Sequence, residues 1–319
     1  MKKIIALILT LAFSALPTTI FSQKGSYPEI KQIQSPQNPA IGFIVHGGTA
    51  VKKGSLTPEK EKEYRVRLEE VVLAGYKALQ AGKSSVDAVE IAIRMMEDSP
   101  LFSADGKNEL DASIMDGKTL AAGAVAGLHH VKNPITLARA VMEKSPHVML
   151  AGDGAEKFAK EQKIEFVDEK QTANRKPQSA FDQFGTVGAV ALDRMGNIAV
   201  GTSTGGVTNE EYSRNGDAII GAGTYANNNT CGVSGAGTGE FFIRLGVARD
   251  ISALIEYRAM PVQAAADMVI KNKLQKLGGN GGVIAMDKFG NMAISFTTTG
   301  MYRAYINSDG KPVVEIYKD

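Results

Sequence analysis

The sequence predicts an α+β fold in which layers of helices cover β-sheets, and two related segments carry most of that prediction. Residues 188–205 (GAVALDRMGNIAVGTSTG) and 282–300 (GVIAMDKFGNMAISFTTTG) each contain an apolar run, the turn D-x-x-G-N and a second apolar run. Glycine and asparagine at such a turn are typical of β-hairpins. Because both arms of each hairpin are almost continuously apolar, their sheets must be covered on both faces, and flanking helices can supply that cover.

Several segments show the signals of such helices. Apolar residues recur at helical spacing in the first of them, and Ser84 with Asp87 gives the second the pattern of a capping box. Asn133 suits the cap of a third helix, with proline in its first turn. The predicted helices span 57–83, 84–96, a segment that begins at Asn133-Pro134, 239–257 and 261–277.

The first residues have the pattern of an export signal rather than of a membrane span. Lys2 and Lys3 precede a short apolar run at 4–16, and Ser22 ends an acceptable cleavage site. The apolar run is too short to cross a bilayer. We therefore expect a signal peptide at 1–22, a single domain at 23–319, and a secreted or periplasmic location.

The charge balance excludes some classes of partner. Removal of residues 1–22 would take away two lysines and no acidic residue, which leaves 34 basic and 34 acidic side chains. A net charge of zero gives no electrostatic basis for binding nucleic acid or an anionic membrane. Cys231 is the single cysteine, so an exported chain has no internal disulfide, and a small buried filler is the more frequent role of such a residue.

Two glycine-rich motifs suggest chemistry that their surroundings do not support. Residues 201–205 match the serine elbow G-x-S-x-G, but in that class the histidine follows the serine, whereas all four histidines here precede it. Residues 221–226 match the dinucleotide pattern G-x-G-x-x-A, but an asparagine-rich stretch follows where a helix is needed. Neither motif therefore indicates a function.

Thr186 is a third candidate for chemistry. It starts an apolar strand directly after Gly185, and it follows a polar stretch at 162–184 that we expect to be an exposed linker. A threonine hydroxyl is a weak nucleophile unless a base lies beside it, and its own α-amino group becomes a compact base once the preceding peptide bond is cut. Gly185 permits the strained backbone that self-cleavage requires. From the residues alone, packing remains the more common role of such a threonine.

A series of motifs in one order resembles the plant-type asparaginase and isoaspartyl-peptidase family. The motifs are IVHGG at 44–48, ELDASIMDG at 109–117, AGAV at 122–125, SPHVM at 145–149, GTVGAV at 185–190, GTGE at 237–240 and GMYR at 300–303. This family belongs to the N-terminal-nucleophile hydrolases. The resemblance therefore implies a four-layer αββα sandwich and a precursor that cuts itself into an α chain, 23–185, and a β chain, 186–319.

The resemblance also implies roles for individual residues. Gly185-Thr186 would be the cleaved bond, with Thr186 as nucleophile and Thr204 hydrogen-bonded near its hydroxyl. Arg214 would hold the α-carboxylate of an aspartyl substrate in its planar guanidinium fork, and Asp217 would pair with the α-ammonium. The other residues implied in catalysis or substrate binding are Ala236, Gly237, Thr238 and Gly239. No cofactor is implied.

Two departures from the family pattern bear on activity. The family's oxyanion hole combines a threonine hydroxyl with the N–H of the next glycine, and here the aligned pair is Ala236-Gly237. Loss of one such donor lowers turnover by roughly 10² to 10³. The family also carries a longer glycine-rich loop that binds a structural sodium ion, where this chain has only 103–108. We therefore expect a slow enzyme without a metal site.

The activity implied by the resemblance is that of a secreted threonine hydrolase that cleaves β-aspartyl (isoaspartyl) peptides and L-asparagine. The expected partners are a small-molecule or dipeptide substrate and a second αβ unit in a homodimer, with no nucleic acid and no membrane after processing. Two alternatives stay open. One is a glycosylasparaginase, and the other is a weakly active or non-catalytic relative that binds an aspartyl ligand.

Overall fold

The computed structural model describes residues 33–34, 41–102, 109–167, 185–205, 216, 218–306 and 309–318, so the predicted signal peptide lies outside the described residues. The helices are α1 (Pro58–Gln80), α2 (Ser85–Glu97), α3 (Pro134–Lys144), α4 (Gly152–Glu161), α5 (Gly239–Leu245), α6 (Val247–Arg258) and α7 (Val262–Asp267), the last continued by a π-helix at Met268–Leu274. The strands are β1 (Ile33–Gln34), β2 (Gly42–Thr49), β3 (Leu110–Asp116), β4 (Ala122–Leu128), β5 (Met149–Ala151), β6 (Thr186–Leu192), β7 (Ile198–Thr204), β8 (Thr224–Ala226), β9 (Cys231–Gly237), β10 (Gly281–Asp287), β11 (Asn291–Phe296), β12 (Gly300–Ile306) and β13 (Pro312–Tyr317).

These strands form two sheets. The larger has the order β13-β12-β2-β6-β7-β3-β4-β5, and the smaller has the order β1-β11-β10-β9-β8. Each of the two predicted hairpins lies at the centre of its own sheet: β6–β7 in the larger and β10–β11 in the smaller. All pairings are antiparallel among the described strands except β4 with β5.

Three apolar layers hold the sheets and helices together. Helices α1, α2 and α3 pack on the larger sheet through residues such as Leu68, Ile93 and Ala189. Helices α6 and α7 pack on the smaller sheet around Val233 and Val283. A third layer lies between the two sheets. The succession helix, sheet, sheet, helix confirms the predicted four-layer αββα sandwich.

The apolar layer between the sheets explains why the hairpin arms are apolar on both faces. Along β6, Val190 packs between the sheets, whereas Ala189 and Ala191 pack against the helices. Successive side chains of a strand point to opposite faces, so a strand buried on both sides needs apolar residues at every position. The lack of alternation in the sequence therefore reflects double burial.

The first three helices start where their sequences predict, but the third lacks the capping hydrogen bond expected from Asn133. Ser84 accepts a hydrogen bond from the Asp87 N–H, and the Asp87 carboxylate accepts one from the Ser84 N–H, which completes the capping box. Asn133 precedes α3 but makes no capping hydrogen bond, since its side-chain amide donates to Asp98 instead. The Glu97 carboxylate accepts the Ile135 N–H at 3.0 Å and so satisfies one donor of the α3 N-terminus.

Other boundaries differ from the sequence-based prediction. The helix predicted at 239–257 is divided between α5 and α6 because Gly246 adopts a left-handed conformation with φ of 59°. Helix α4 was not predicted. The predicted linker at 162–184 falls partly inside the described residues. There, Phe166 forms an isolated β-bridge with Val131, and the Val167 N–H donates to the His130 carbonyl. The start of this stretch is therefore bound to the domain, and 168–184 lie outside the described residues.

Two further features concern burial and hydropathy. Cys231 is fully buried in β9, and burial raises the pKa of its thiol to about 12, so it behaves as the expected inert filler. Within the part of the chain that the structure describes, none of the helices combines the length and the apolar character needed to cross a membrane.

Candidate active site

Two threonine hydroxyls meet at the open end of the β6–β7 hairpin. Strand β6 begins at Thr186 and β7 ends at Thr204, and the antiparallel register pairs these two residues directly. Thr186 Oγ1 donates a hydrogen bond to Thr204 Oγ1 at 3.0 Å. Both side chains are buried, with 2% and 8% exposure. The structure thus brings together the predicted nucleophile and the residue expected to bond its hydroxyl.

A chain of buried polar side chains crosses between the two sheets beneath this pair. His46 Nε2 on β2 lies 2.9 Å from Ser234 Oγ on β9, and Ser234 Oγ lies 2.7 Å from Thr202 Oγ1 on β7. Thr224 Oγ1 donates to Thr202 Oγ1 at 2.6 Å, and Ser113 Oγ donates to Thr224 Oγ1 at 2.8 Å. The hydrogen bonds satisfy groups that would otherwise be costly to bury and fix the spacing of the sheets next to the threonine pair.

The close approach of the sheets at this point requires a glycine. A Cβ on Gly188 would collide with Ser234 Oγ and with the His46 ring. Gly188 pairs with His46 in the adjacent strand, and it is two residues from Thr186 on the same face of β6. The glycine of the sequence GTVG therefore makes room for the polar chain that supports the site.

His46 is neutral in the folded protein. Burial lowers the pKa of the imidazole from 6.5 to about 3, while the nearby Thr186 backbone acts in the opposite direction. No residue within the described ranges makes a hydrogen bond of regular geometry to Nδ1 of this ring. A neutral ring can accept from Ser234 at one nitrogen and place its proton on the side of the Thr186 backbone, so His46 links β6 to the second sheet.

The end of β9 approaches the threonine pair from the second sheet. A Cβ on Gly232 would touch Val190 of β6, and a Cβ on Gly188 would touch Ser234. Two residues forward along β9 therefore correspond to two residues back along β6. By the same spacing we expect Ala236 to stand opposite Thr186. Ala236 is fully buried. Its expected place in the oxyanion hole stays a prediction.

Backbone geometry explains the glycine that follows Ala236. Gly237 pairs with Gly281, and a Cβ on Gly237 would lie 2.5 Å from the Asn280 carbonyl oxygen and 2.7 Å from Gly281 Cα. Thr238 stands at the start of α5, where its N–H donates to Asn280 at 2.9 Å, and Gly239 is the first helical residue. The predicted substrate-binding residues of this segment thus lie together at the strand-to-helix junction.

A cleft opens on the helix-facing side of the same strand ends. Its wall includes Gly185, Thr204 and Gly205 from the hairpin and Glu97 and Lys132 from the helical layer. Within the described part of the chain, no atom lies within 4 Å of the position that a Cβ on Gly185 would take. The peptide bond between Gly185 and Thr186 is thus beside a solvent-accessible cleft, although the Thr186 side chain is buried.

Several predicted features fall outside the described residues. Arg214 and Asp217 do so, as does the shortened loop at 103–108, and their expected roles stay predictions. Among the residues that are described, no group of three or more histidine, cysteine, aspartate or glutamate side chains is placed to hold a metal ion.

Comparison with known proteins agrees with this geometry. The family model described as asparaginase matches residues 39–183 and 168–316. The chain belongs to this asparaginase family. It is therefore an amidohydrolase of the N-terminal-nucleophile class, the class predicted from the motifs.

Curated relatives cover most of this asparaginase-family chain. The isoaspartyl peptidase of Salmonella typhimurium is 44% identical over 313 residues, which is 88% of this chain and 100% of the relative. The isoaspartyl peptidase of Escherichia coli is 44% identical over 308 residues, 87% of this chain and 96% of the relative. The isoaspartyl peptidase/L-asparaginase of Mus musculus is 40% identical over 286 residues, 82% of this chain and 86% of the relative.

Sequence reasoning did not find two contacts of this asparaginase-family site. One is the link of His46 through Ser234 to Thr202, and the other is the hydrogen bond from Ser203 to Glu97. Each joins residues far apart in the chain. Only the histidine gave a signal, because it belongs to the HGG motif that contributes to the family resemblance.

Proposed function

We propose that this chain is a self-processing threonine hydrolase that releases aspartate from β-aspartyl (isoaspartyl) peptides and from L-asparagine after export from the cytoplasm. The observation that carries the proposal is the 3.0 Å hydrogen bond between the Thr186 and Thr204 hydroxyls, formed at the first residue of a buried strand directly after Gly185. Isoaspartyl peptides are the substrate in the names of two relatives that are 44% identical, and L-asparagine is added in the name of the relative that is 40% identical. The lysine-led apolar segment at 1–22 supports the export.

Self-cleavage would create the catalytic base. The Thr186 hydroxyl attacks the carbonyl carbon of Gly185, and its proton passes to the departing Thr186 nitrogen as the peptide bond breaks. The resulting ester between Gly185 and the Thr186 oxygen is hydrolysed by water, which leaves a carboxylate on Gly185 and a free α-amino group on Thr186. The cleft beside Gly185 gives the water and the new chain end a place to enter and leave.

The same oxygen would then attack the substrate. The α-amino group of Thr186 accepts the hydroxyl proton while Oγ1 bonds to the β-carbonyl carbon of the aspartyl group, and the amine then gives that proton to the leaving nitrogen. Water attacks the acyl-enzyme, releases aspartate and restores the Thr186 hydroxyl. Thr204 holds the hydroxyl in place for the attack through the hydrogen bond already present.

Charge develops on the carbonyl oxygen during both halves of the reaction. The Gly237 N–H lies in the segment that faces Thr186 and is the donor we assign to this oxygen. The methyl group of Ala236 supplies no second donor, which is the reason to expect slow turnover. Arg214 and Asp217 would grip the α-carboxylate and α-ammonium of the aspartyl group, so substrates without a free α-amine should be refused.

Aspartate release tests the proposal directly. Purified wild-type protein should release aspartate from β-aspartyl-leucine and from asparagine, and Thr186→Ala should release none above the uncatalysed rate. Binding of aspartate to both proteins is measured in parallel by calorimetry. Binding without any turnover by the wild type would favour the non-catalytic alternative, and turnover confined to glycosylated asparagine would favour the glycosylasparaginase.

A further inference from the structure

Glu97 is a buried carboxyl group that the proposed reaction does not use. It is the last residue of α2, and its Oε1 atom accepts hydrogen bonds from Ser203 Oγ at 2.7 Å and from the Ile135 N–H at 3.0 Å. Its Oε2 atom is buried and has no hydrogen-bond partner among the described residues. The residue also lines the cleft beside Gly185 and Thr204. This carboxyl therefore lies behind the threonine pair, on the helix side of the sheet.

Among the described residues, none of the groups that act on the Glu97 carboxyl is a cation. Asp98 is next on the same helix, Asn133 and Ser203 offer neutral groups, and Lys132 on the cleft wall is paired with Glu165 at 2.8 Å. Burial raises the pKa of Glu97 to about 8, although its hydrogen bonds act to lower it. A carboxyl that costs stability when ionised and lies in a cleft is a candidate for a functional role.

The contact with Ser203 connects this carboxyl to the site. Ser203 directly precedes Thr204 in β7, and adjacent residues of a strand point to opposite faces of the sheet. Ser203 points to α2, whereas Thr204 points to Thr186. The hydrogen bond that anchors Ser203 therefore restricts how far Thr204 can move. This restraint acts at Thr204 itself, the residue at which β7 ends.

We propose that Glu97 is a positioning residue for the nucleophile: through Ser203 it holds the end of β7, and thereby keeps the Thr204 hydroxyl within hydrogen-bonding distance of Thr186. This inference rests on the proposed function, because it assumes that the threonine pair is catalytic. Glu97 acts through Ser203 and touches neither the substrate nor the reacting atoms.

A purely structural role must be separated from this one, because Glu97 also accepts the Ile135 N–H at the start of α3. Ser203→Ala removes the link to β7 and leaves the link to α3 intact. Thr136→Ala is the matched control, since the Thr136 hydroxyl donates to Glu90 on the same helix at 2.7 Å, away from the cleft. The two variants each remove one hydroxyl-to-carboxylate bond between α2 and a neighbouring element.

The experiment compares kcat, KM and melting temperature for fully processed protein with a β-aspartyl dipeptide. Ser203→Ala should lower kcat roughly tenfold to a hundredfold with little change in KM, since a misplaced reacting group costs rate more than binding. Thr136→Ala should alter the melting temperature without lowering kcat. A processed Ser203→Ala enzyme with the kcat of wild type would overturn the inference, as would an equal loss of kcat in Thr136→Ala.

A pH series with Glu97→Gln gives a readout that packing alone would not move. Glutamine resembles the protonated acid, so this variant should match wild type below the pKa of about 8 and fall behind above it, where the ionised carboxylate accepts the stronger hydrogen bond. A kcat ratio that stays constant across this range would contradict the proposal. If wild type itself neither cleaves itself nor releases aspartate, the proposed function fails, whereas an active wild type with an unaffected Ser203→Ala leaves that function standing and removes only this inference.

Discussion

The β6–β7 and β10–β11 hairpins share one turn. In the first, the Asp193 carboxylate accepts the N–H groups of Met195 and Asn197 at 2.9 and 3.0 Å. In the second, Asp287 accepts the corresponding N–H groups of Phe289 and Asn291, both at 2.9 Å. The glycines of the two turns have positive φ angles of 77° and 82°, which glycine adopts without strain.

The open ends of the same hairpins differ. By alignment of the turns, Thr204 corresponds to Thr298 and Thr186 to Asn280. Thr204 accepts a hydrogen bond from Thr186, whereas Thr298 lies beyond the end of β11 and donates to the Gly300 carbonyl at 2.9 Å. Asn280 uses its own carbonyl to accept the Thr238 N–H. The turn ends therefore have the same structure in both sheets, whereas at the open ends the first hairpin pairs two hydroxyls and the second does not.

The largest expected difference between the two hairpins is in kcat, when one hydroxyl is removed at the open end of each. Thr204→Val keeps the shape of the side chain and should lower aspartate release about a hundredfold, since the nucleophile loses its positioning hydrogen bond. Thr298→Val in the second hairpin should leave kcat close to wild type. Steady-state kinetics of the processed proteins check both, and similar losses in the two variants would abolish the distinction between the hairpins.

A smaller effect is expected where the second sheet faces the first hairpin. Ala236→Thr adds a hydroxyl donor opposite Thr186, so kcat should rise about tenfold while KM changes little, because the donor meets charge that develops in the transition state. Ala236→Val is the control, since it adds similar bulk without a hydroxyl. The processed fraction is measured alongside, because faster self-cleavage would imitate a faster enzyme. Equal rates for the threonine and valine variants would contradict the assigned oxyanion hole.

The smallest expected difference concerns the two turns. Asp193→Ala and Asp287→Ala each leave backbone N–H groups without their acceptor and should cost about 1 to 3 kcal/mol of unfolding free energy. Asp193 also accepts the Ser85 N–H at 3.1 Å and so ties its turn to α2, which should make its replacement the costlier by about 1 kcal/mol. Urea unfolding monitored by circular dichroism measures both. A more damaging Asp287→Ala would show that this extra bond contributes nothing.

The comparison also shows which features the sequence could predict. Local signals sufficed for the hairpins and for the start of α2, because the D-x-x-G-N turn and the capping box act within a few residues. The prediction that Thr186 is the nucleophile depended on the family resemblance, because a threonine at the start of a strand is usually a packing residue.

Long-range contacts could not be predicted. Ser203 and Glu97 are 106 residues apart, and His46 and Ser234 are 188 apart, so nothing local indicates either pair. The start of α3 was predicted correctly, but the capping role of Asn133 was wrong, because its side-chain amide donates to the Asp98 carboxylate. Tertiary partners decided these positions, and single-residue preferences did not.

The intact mass of the purified protein tests the central assignment most directly. Wild type should separate under denaturing conditions into two fragments, the second with Thr186 as its N-terminal residue, and Thr186→Ala should stay one chain. Mass spectrometry with N-terminal sequencing reads both results in one experiment. A wild-type chain that stays intact through prolonged incubation would contradict Thr186 as a nucleophile freed by self-cleavage.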